Sequence, residues 1–450
     1  MMESYKPQKI KDFVFEEKNF GTVYYCMNNP QYWPFLETYR DLNFIYLANK
    51  EIAVNEDLDL ATKSDFLKTS HNNNVMHFDF AKGNQWMIER DIYQAYKMLS
   101  PMYGDRNNTF SYKAKKYKID DLLNIYSTIQ NYIEENRDGL IDTFESDKDF
   151  NLISFFGEKA LLRQLGLEKD KIELLELLSY DINGENKPSL LSYKPLLRNK
   201  KIYYLLPSWF SHITLERALD KILSDENLVK INLEEQLEKG LFFEDTIESF
   251  FKSCKIKFFK TKRDKENDIP EIDGMFIMDD YLFVFEAKAS IKSENIIEAY
   301  NYLNSTLTKA KEQLDKRVNI LSNDKIRTAI IEQKIQCKIT DLKLFPFILV
   351  NHHFFNCYMD LLNEADDDYY PIIDFSMLKD IITNRKVPYW EFNEKKGCYK
   401  RSELPLTTGQ ELEHYIKYQI NGLVSCEQPT IQLLEDNIAF KIVKPLKTCK

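Results

Sequence analysis

The 450-residue chain is poor in the residues that loosen or staple a fold, with 12 glycines, 14 prolines and 7 cysteines. So few glycines and prolines leave little room for long flexible linkers. The cysteines are scattered with no C-x-x-C pair, which argues against a zinc site or a disulfide framework and fits a reducing cytoplasm. The N-terminus, M-M-E-S-Y-K-P-Q-K-I-K-D, lacks the apolar stretch of a signal peptide. The longest apolar run, L-F-P-F-I-L-V, is far too short to span a bilayer. A cytoplasmic protein with no membrane partner is therefore expected. Positive charge is not in excess either: the formal net charge is −10. Any nucleic-acid binding must then rest on local rather than overall potential.

What the chain does have is apolar and aromatic material, 44% and 14% of its residues, enough for well-packed globular domains. Its length predicts two or three of them. Residues 1–230 open with the turn-rich V-Y-Y-C-M-N-N-P-Q-Y-W-P-F and continue with helical spacing over Asp120–Glu135, Ile172–Leu178 and Leu215–Leu223. This region is expected to be mainly helical with some strand, serving recognition, regulation or contact with a partner, including a second copy in a homodimer. His71, His77 and His212 are isolated and read as surface or hydrogen-bonded side chains. The lysines at 113, 115, 116 and 118 read as a solvated surface cluster.

The stretch that carries chemistry runs from Pro270 to Ser290, P-E-I-D-G-M-F-I-M-D-D-Y-L-F-V-F-E-A-K-A-S. Two β-rich runs, Ile272–Met278 and Tyr281–Phe285, flank Asp279-Asp280 and predict an antiparallel hairpin. With the turn centred on those two residues, Asp273 faces Glu286, and Lys288 follows two residues on, on the same face. Like charges directly opposed repel, so the pair invites a cation, and removing one carboxylate is expected to relieve repulsion. Glu-x-Lys recurs at Glu16/Lys18, Glu185/Lys187, Glu332/Lys334 and Glu394/Lys396, but only the copy at Glu286 ends an apolar strand behind a facing Asp. The alternative is a set of solvated edge charges with Lys288 pairing Glu271 across the ladder. A one-residue bulge would also spoil the facing pair.

These residues resemble the core of the PD-(D/E)xK nuclease superfamily, which includes restriction endonucleases and Holliday-junction resolvases. Its pattern is a helix bearing Glu, an Asp on the second strand, Glu-x-Lys on the third, and a following helix that often bears Gln. The matching residues here are Glu244 in G-L-F-F-E-D-T-I-E-S-F-F, Asp273, Glu286-Ala287-Lys288, and Gln313 in K-A-K-E-Q-L. Pro270 stands a few residues before Asp273 rather than beside it. Glu248, one turn beyond Glu244, is a competing helix carboxylate.

The resemblance spans about residues 231–385. It implies an α/β fold with a restriction-endonuclease-like central mixed sheet flanked by helices, preceded by the mainly helical region 1–230 and followed by a C-terminal appendage at 386–450. It implies Mg²⁺ or Mn²⁺ held by Asp273, Glu286, the Ala287 carbonyl and Glu244. Asp273, Glu286, Lys288 and Glu244 would be the catalytic residues. The implied activity is phosphodiester hydrolysis of nucleic acid, with DNA favoured, in a defence or restriction role. The alternative is a non-catalytic nucleic-acid-binding or interaction protein on a nuclease-derived scaffold.

Around this stretch the sequence makes further expectations. Leu233–Cys254 predicts a helix with a packing stripe of Phe243, Ile247, Phe250 and Cys254. The basic run Lys252–Lys265 leads into the hairpin, and Lys257, Lys260, Lys262 and Arg263 are candidate phosphate contacts, with Gln313 a further nucleic-acid candidate. The same lysines would equally protect an edge strand. Ser293–Arg317 predicts a long helix with exposed Lys309, Lys311 and Lys316. Leu342–Val350 reads as a buried central strand, against which Pro346 speaks, and His352-His353 at its end read as structural. Pro371–Ile382 reads as a short strand entering a helix. Glu364–Asp368 reads as an exposed acidic loop.

Overall fold

The computed structural model describes residues 84–135, 153–184, 193–210, 213–231, 238–293, 298, 301–352, 370–393 and 398–417. It also describes the strands at 13–18, 22–27, 67–72, 75–80, 430–433 and 440–443. The architecture is mixed α/β. The chain divides into two compact units, one of Met1–Ala81, Phe250–Lys288 and Ser293–Lys450, the other of Lys82–Ser249 and Ala289–Lys292. Among the described residues no helix is long and apolar enough to cross a membrane.

The second unit contains helices at Ile119–Glu135, Ile172–Leu177 and Leu215–Leu223, where helical spacing was expected over Asp120–Glu135, Ile172–Leu178 and Leu215–Leu223, and a further one at Asn84–Tyr103. Beside these helices the described residues of the first half carry the strands that the sequence left without positions. Ile153–Phe156, Ile202–Leu205, Leu196–Asn199 and Ser179–Asp181 form a four-stranded sheet in that order. These are four- and three-residue strands, too short for alternation to reveal them. Of the isolated histidines, His212 lies outside the described residues.

The first unit is built on a five-stranded sheet whose spatial order follows the chain: β1 Phe258–Thr261, β2 Ile272–Met278, β3 Tyr281–Lys288, β4 Lys343–Val350 and β5 Ile372–Asp374. The first three strands are antiparallel; β3, β4 and β5 run parallel. A parallel neighbour requires a crossover, supplied between β3 and β4 by helices α1 Thr308–Asn323 and α2 Lys325–Ile335. A π-helical turn, Tyr302–Leu307, leads into α1; residues 294–297, 299 and 300 of the expected long helix lie outside the described residues. The expected strand and helix at Pro371–Ile382 are β5 and α3 Phe375–Asn384, capped by Asp374, whose carboxylate accepts the Met377 N–H at 2.8 Å.

Alternation gives the sheet two different faces. Met275, Leu282, Val284, Ile348 and Val350 pack with Leu307, Ala310, Leu314 and Ile320 of the crossover helix in an aliphatic core. The other face is aromatic: Phe276 stacks on Phe251 at 4.6 Å and on Phe283 at 4.7 Å between ring centroids, and Phe283 meets Phe345 at 5.5 Å. Each such pair contributes roughly 0.5–1.5 kcal/mol beyond the area it buries. Gly274 belongs to this face, directly across the hairpin from Phe285, whose ring fills the space a side chain would need.

The proline in β4 has a geometric explanation. The Ile348 N–H donates to the Pro371 carbonyl at 2.9 Å, so alternation points the backbone of residue 346 towards the same side. There β5 pairs only with Ile348–Val350, and Pro346 precedes that ladder. Its missing N–H leaves no bond to β5 broken.

Candidate functional site

The hairpin has the register its turn residues predict. Met278 pairs with Tyr281 and Gly274 with Phe285, so Asp273 and Glu286 come next, just past the last paired residues. Asp279 adopts a φ of +53°, which a short polar side chain tolerates, and its carboxylate accepts the Gly409 N–H at 2.7 Å. A bulge is present, but between β1 and β2: Phe259 pairs with Met275 and Thr261 with Ile272, so Asp273 and Gly274 together stand opposite Lys260. The irregularity falls on the outer ladder and spares the facing pair.

On the aliphatic face the sequence therefore changes from Leu282 and Val284 to Glu286 and Lys288 as β3 ends. Both carboxylates are buried, Asp273 at 8% exposure and Glu286 at 1%. Burying two like charges this deeply requires a counter-charge, and the structure supplies one that the hairpin sequence does not contain. Arg317 of α1, itself 4% exposed, lies between them. Its Nη2 donates to Asp273 Oδ1 at 3.1 Å, its Nη1 meets Glu286 Oε2, and its Nε donates to the Glu271 carbonyl. The other Asp273 oxygen accepts the Ala287 N–H at 2.9 Å. The other Glu286 oxygen accepts from Lys288 Nζ, which also donates to Gln313 Oε1 at 3.1 Å.

Asp273, Glu286, Ala287, Lys288 and Gln313 are thus brought together, and Lys288 does not pair with Glu271. Ala287 contributes its amide to the arrangement. Glu244 and Glu248 are half-buried on the helix Lys239–Ser253, which realises the expected Phe243, Ile247 and Phe250 stripe and belongs up to Ser249 to the other compact unit. Among the described residues no group of three or more His, Cys, Asp or Glu side chains is gathered as a metal cage. His352 is fully buried with its ring 5.2 Å from that of Tyr302, a packing role in line with the structural reading; His353 and the acidic run 364–368 lie outside the described residues.

Arg317 was legible in principle. Leu307, Ala310 and Leu314 recur at helical spacing on the buried side of the crossover helix, and the next position of that stripe is Arg317. A charged residue in an apolar stripe is seldom buried without a partner.

The basic approach forms a surface of its own. Lys260, Lys262, Arg263, Lys265 and Lys334 line a cleft of about 500 Å³ together with Thr261, Asp264, Glu266 and Ile335. Lys257 is exposed at the foot of β1. Asp264 is tied to Lys334 at 2.5 Å, and this ion pair, with the Asn267 side chain next, holds its carboxyl well below the usual range. Thr261 pairs with Ile272, the residue before Asp273, so the cleft borders the carboxylate pair through the sheet.

No protein-family model, no curated protein and no solved structure matches the chain.

Proposed function

We propose that the five-stranded unit is a restriction-endonuclease-like core and that the protein is a divalent-metal-dependent nuclease, with DNA the favoured substrate. The observation that carries this reading is the meeting of Asp273, Glu286 and Lys288 on one face, at the end of a hairpin that borders a basic cleft. Two carboxylates are hard oxygen donors of the kind that hold Mg²⁺ or Mn²⁺, with water and substrate phosphate completing the shell, so the donor set suits such an ion. Bound there, the ion would supply Lewis-acid stabilisation of phosphate oxygens and a lowered pKa for water. Asp273 and Glu286 would hold it, with the Ala287 carbonyl as a further candidate.

Lys288 carries its charge on the same face, where it can offset negative charge growing on a phosphate. Gln313 orients that ammonium through its side-chain oxygen. Lys260, Lys262, Arg263 and Lys265 present positive charge at the start of the hairpin, a local potential that favours a polyanion on a chain that is acidic overall. Lys257, whose carbonyl accepts the Ile277 N–H near the turn, lies at the other end of β1.

The test is purified full-length protein with Mg²⁺, Mn²⁺ or EDTA on duplex, single-stranded and branched DNA and on RNA. Metal-dependent cleavage that disappears in Glu286→Gln and Lys288→Ala supports the reading. Binding without cleavage in any metal would discard it. That outcome favours a second reading, a non-catalytic nucleic-acid-binding protein on the same scaffold. Arg317 speaks for it, because it neutralises the carboxylates without any ion.

A further inference from the structure

Arg317 stands where the proposed reaction would need a cation. Its guanidinium reaches one oxygen of each facing carboxylate and anchors its third nitrogen on the Glu271 carbonyl. Three of the four carboxylate oxygens accept hydrogen bonds, from Arg317 and the Ala287 amide at Asp273 and from Lys288 at Glu286, and the fourth, Glu286 Oε2, faces Arg317 Nη1 as an ion pair. Arg317 and Glu286 are both almost fully buried, and the guanidinium is the cation that the two carboxylates share.

We infer that Arg317 is the internal occupant of the metal position, and that a divalent cation and the Arg317 guanidinium exclude one another. The inference rests on the nuclease reading for the identity of the competing ion, but its geometry belongs to this chain alone. Arg317 is a positioning residue in this scheme. In the metal-free protein it holds two like-charged side chains together at their working separation. A cation can enter only when the guanidinium leaves. The binding-competent state is therefore a minor one, and apparent metal affinity falls by the fraction of molecules in it. Coulomb attraction between the buried partners favours the arginine-bound state.

The experiment measures Mn²⁺ binding to the full-length chain by calorimetry and by thermal shift, with wild type, Arg317→Gln and Arg317→Lys compared. Each is repeated with Glu286→Gln. Removing the occupant should raise Mn²⁺ affinity roughly tenfold or more in Arg317→Gln if the closed state holds nine-tenths of the molecules. The lysine, which cannot bridge both carboxylates with a fork of donors, should fall between. The Mn²⁺-induced rise in melting temperature should follow the same order, and both gains should vanish with Glu286→Gln. If Arg317→Gln does not fold, Arg317→Lys decides by the same criterion. Wild-type affinity or weaker in the arginine variants, or a gain that survives Glu286→Gln, overturns the proposal. Failure of either reading can be told apart by a parallel DNA cleavage assay. Cleavage by wild type without a gain in affinity discards the competition and keeps the nuclease. A gain in affinity with no cleavage by any variant does the reverse, and no Mn²⁺ binding by any variant discards both.

Discussion

The Glu286 carboxylate and the Arg317 guanidinium form an ion pair from which solvent is almost absent, at 1% and 4% exposure. Breaking a buried pair from one side leaves an uncompensated charge. Arg317→Ala is therefore expected to destabilise the metal-free protein by about 3–5 kcal/mol. The same argument reverses the expectation from the sequence that losing one carboxylate would relieve repulsion, because the guanidinium already cancels it. Asp273→Ala and Glu286→Ala should each lower stability in EDTA, Glu286→Ala by more because it is the deeper of the two. Urea unfolding in EDTA checks the order, and a stabilised Glu286→Ala protein would contradict it.

Changing Lys260, Lys262, Arg263 and Lys265 to Ser should weaken binding of a DNA duplex and flatten its dependence on salt. Every side chain that no longer neutralises a phosphate lowers the slope of log affinity against log salt concentration by about one unit. Single-turnover cleavage at saturating substrate should persist, since none of these side chains touches Asp273 or Glu286. Binding isotherms over a range of salt test the cleft directly. An unchanged slope would mean that the lysines only solvate an edge.

Asp264 provides a pH-dependent reporter on that cleft. Its ion pair with Lys334 depresses its pKa, so any stability it lends is present above the ordinary aspartate value of about 3.9 and is lost as pH falls towards its folded value. Lys334→Met should move the Asp264 midpoint upwards, towards the ordinary value, as read by carboxyl carbon NMR. Global stability should change little, because the lysine is 40% exposed.

Gly274→Ala should destabilise the protein by about 1–3 kcal/mol, the usual range for overpacking a filled core. A Cβ at this position would come within 2.1 Å of the Phe285 ring, which is fully buried against Phe347. Because Gly274 adjoins Asp273, the strain falls next to the carboxylate pair. Thermal melts alongside Mn²⁺ binding should show both stability and affinity reduced, whereas Phe285→Leu in the same background should recover part of the stability.

The sequence revealed most where the relevant information is local. The hairpin and its register follow from alternation and two turn residues, and both strands fall within three residues of their expected ends. The helices at Ile119–Glu135 and Leu215–Leu223 follow from apolar spacing. Arg317 was legible as a charge on an apolar stripe, but its partners were not, since reading its role requires knowing that the buried stripe of the crossover meets the mouth of the hairpin. The parallel pairing of β3 with β4 joins residues some sixty positions apart, a distance that periodicity does not report. The short strands of the second unit escaped for the opposite reason: three or four residues hold too little pattern to stand out.

Pro346 also bears on how copies of the chain meet one another. Among the described residues, no strand pairs with β4 on its β5 side before Ile348. An ordinary residue at 346 would offer an N–H there, one rung of a template onto which a foreign strand could dock. Proline withholds that rung at the point where the parallel ladder would otherwise continue. That donor is missing by covalent structure, so crowding, heating or a change in salt does not restore it.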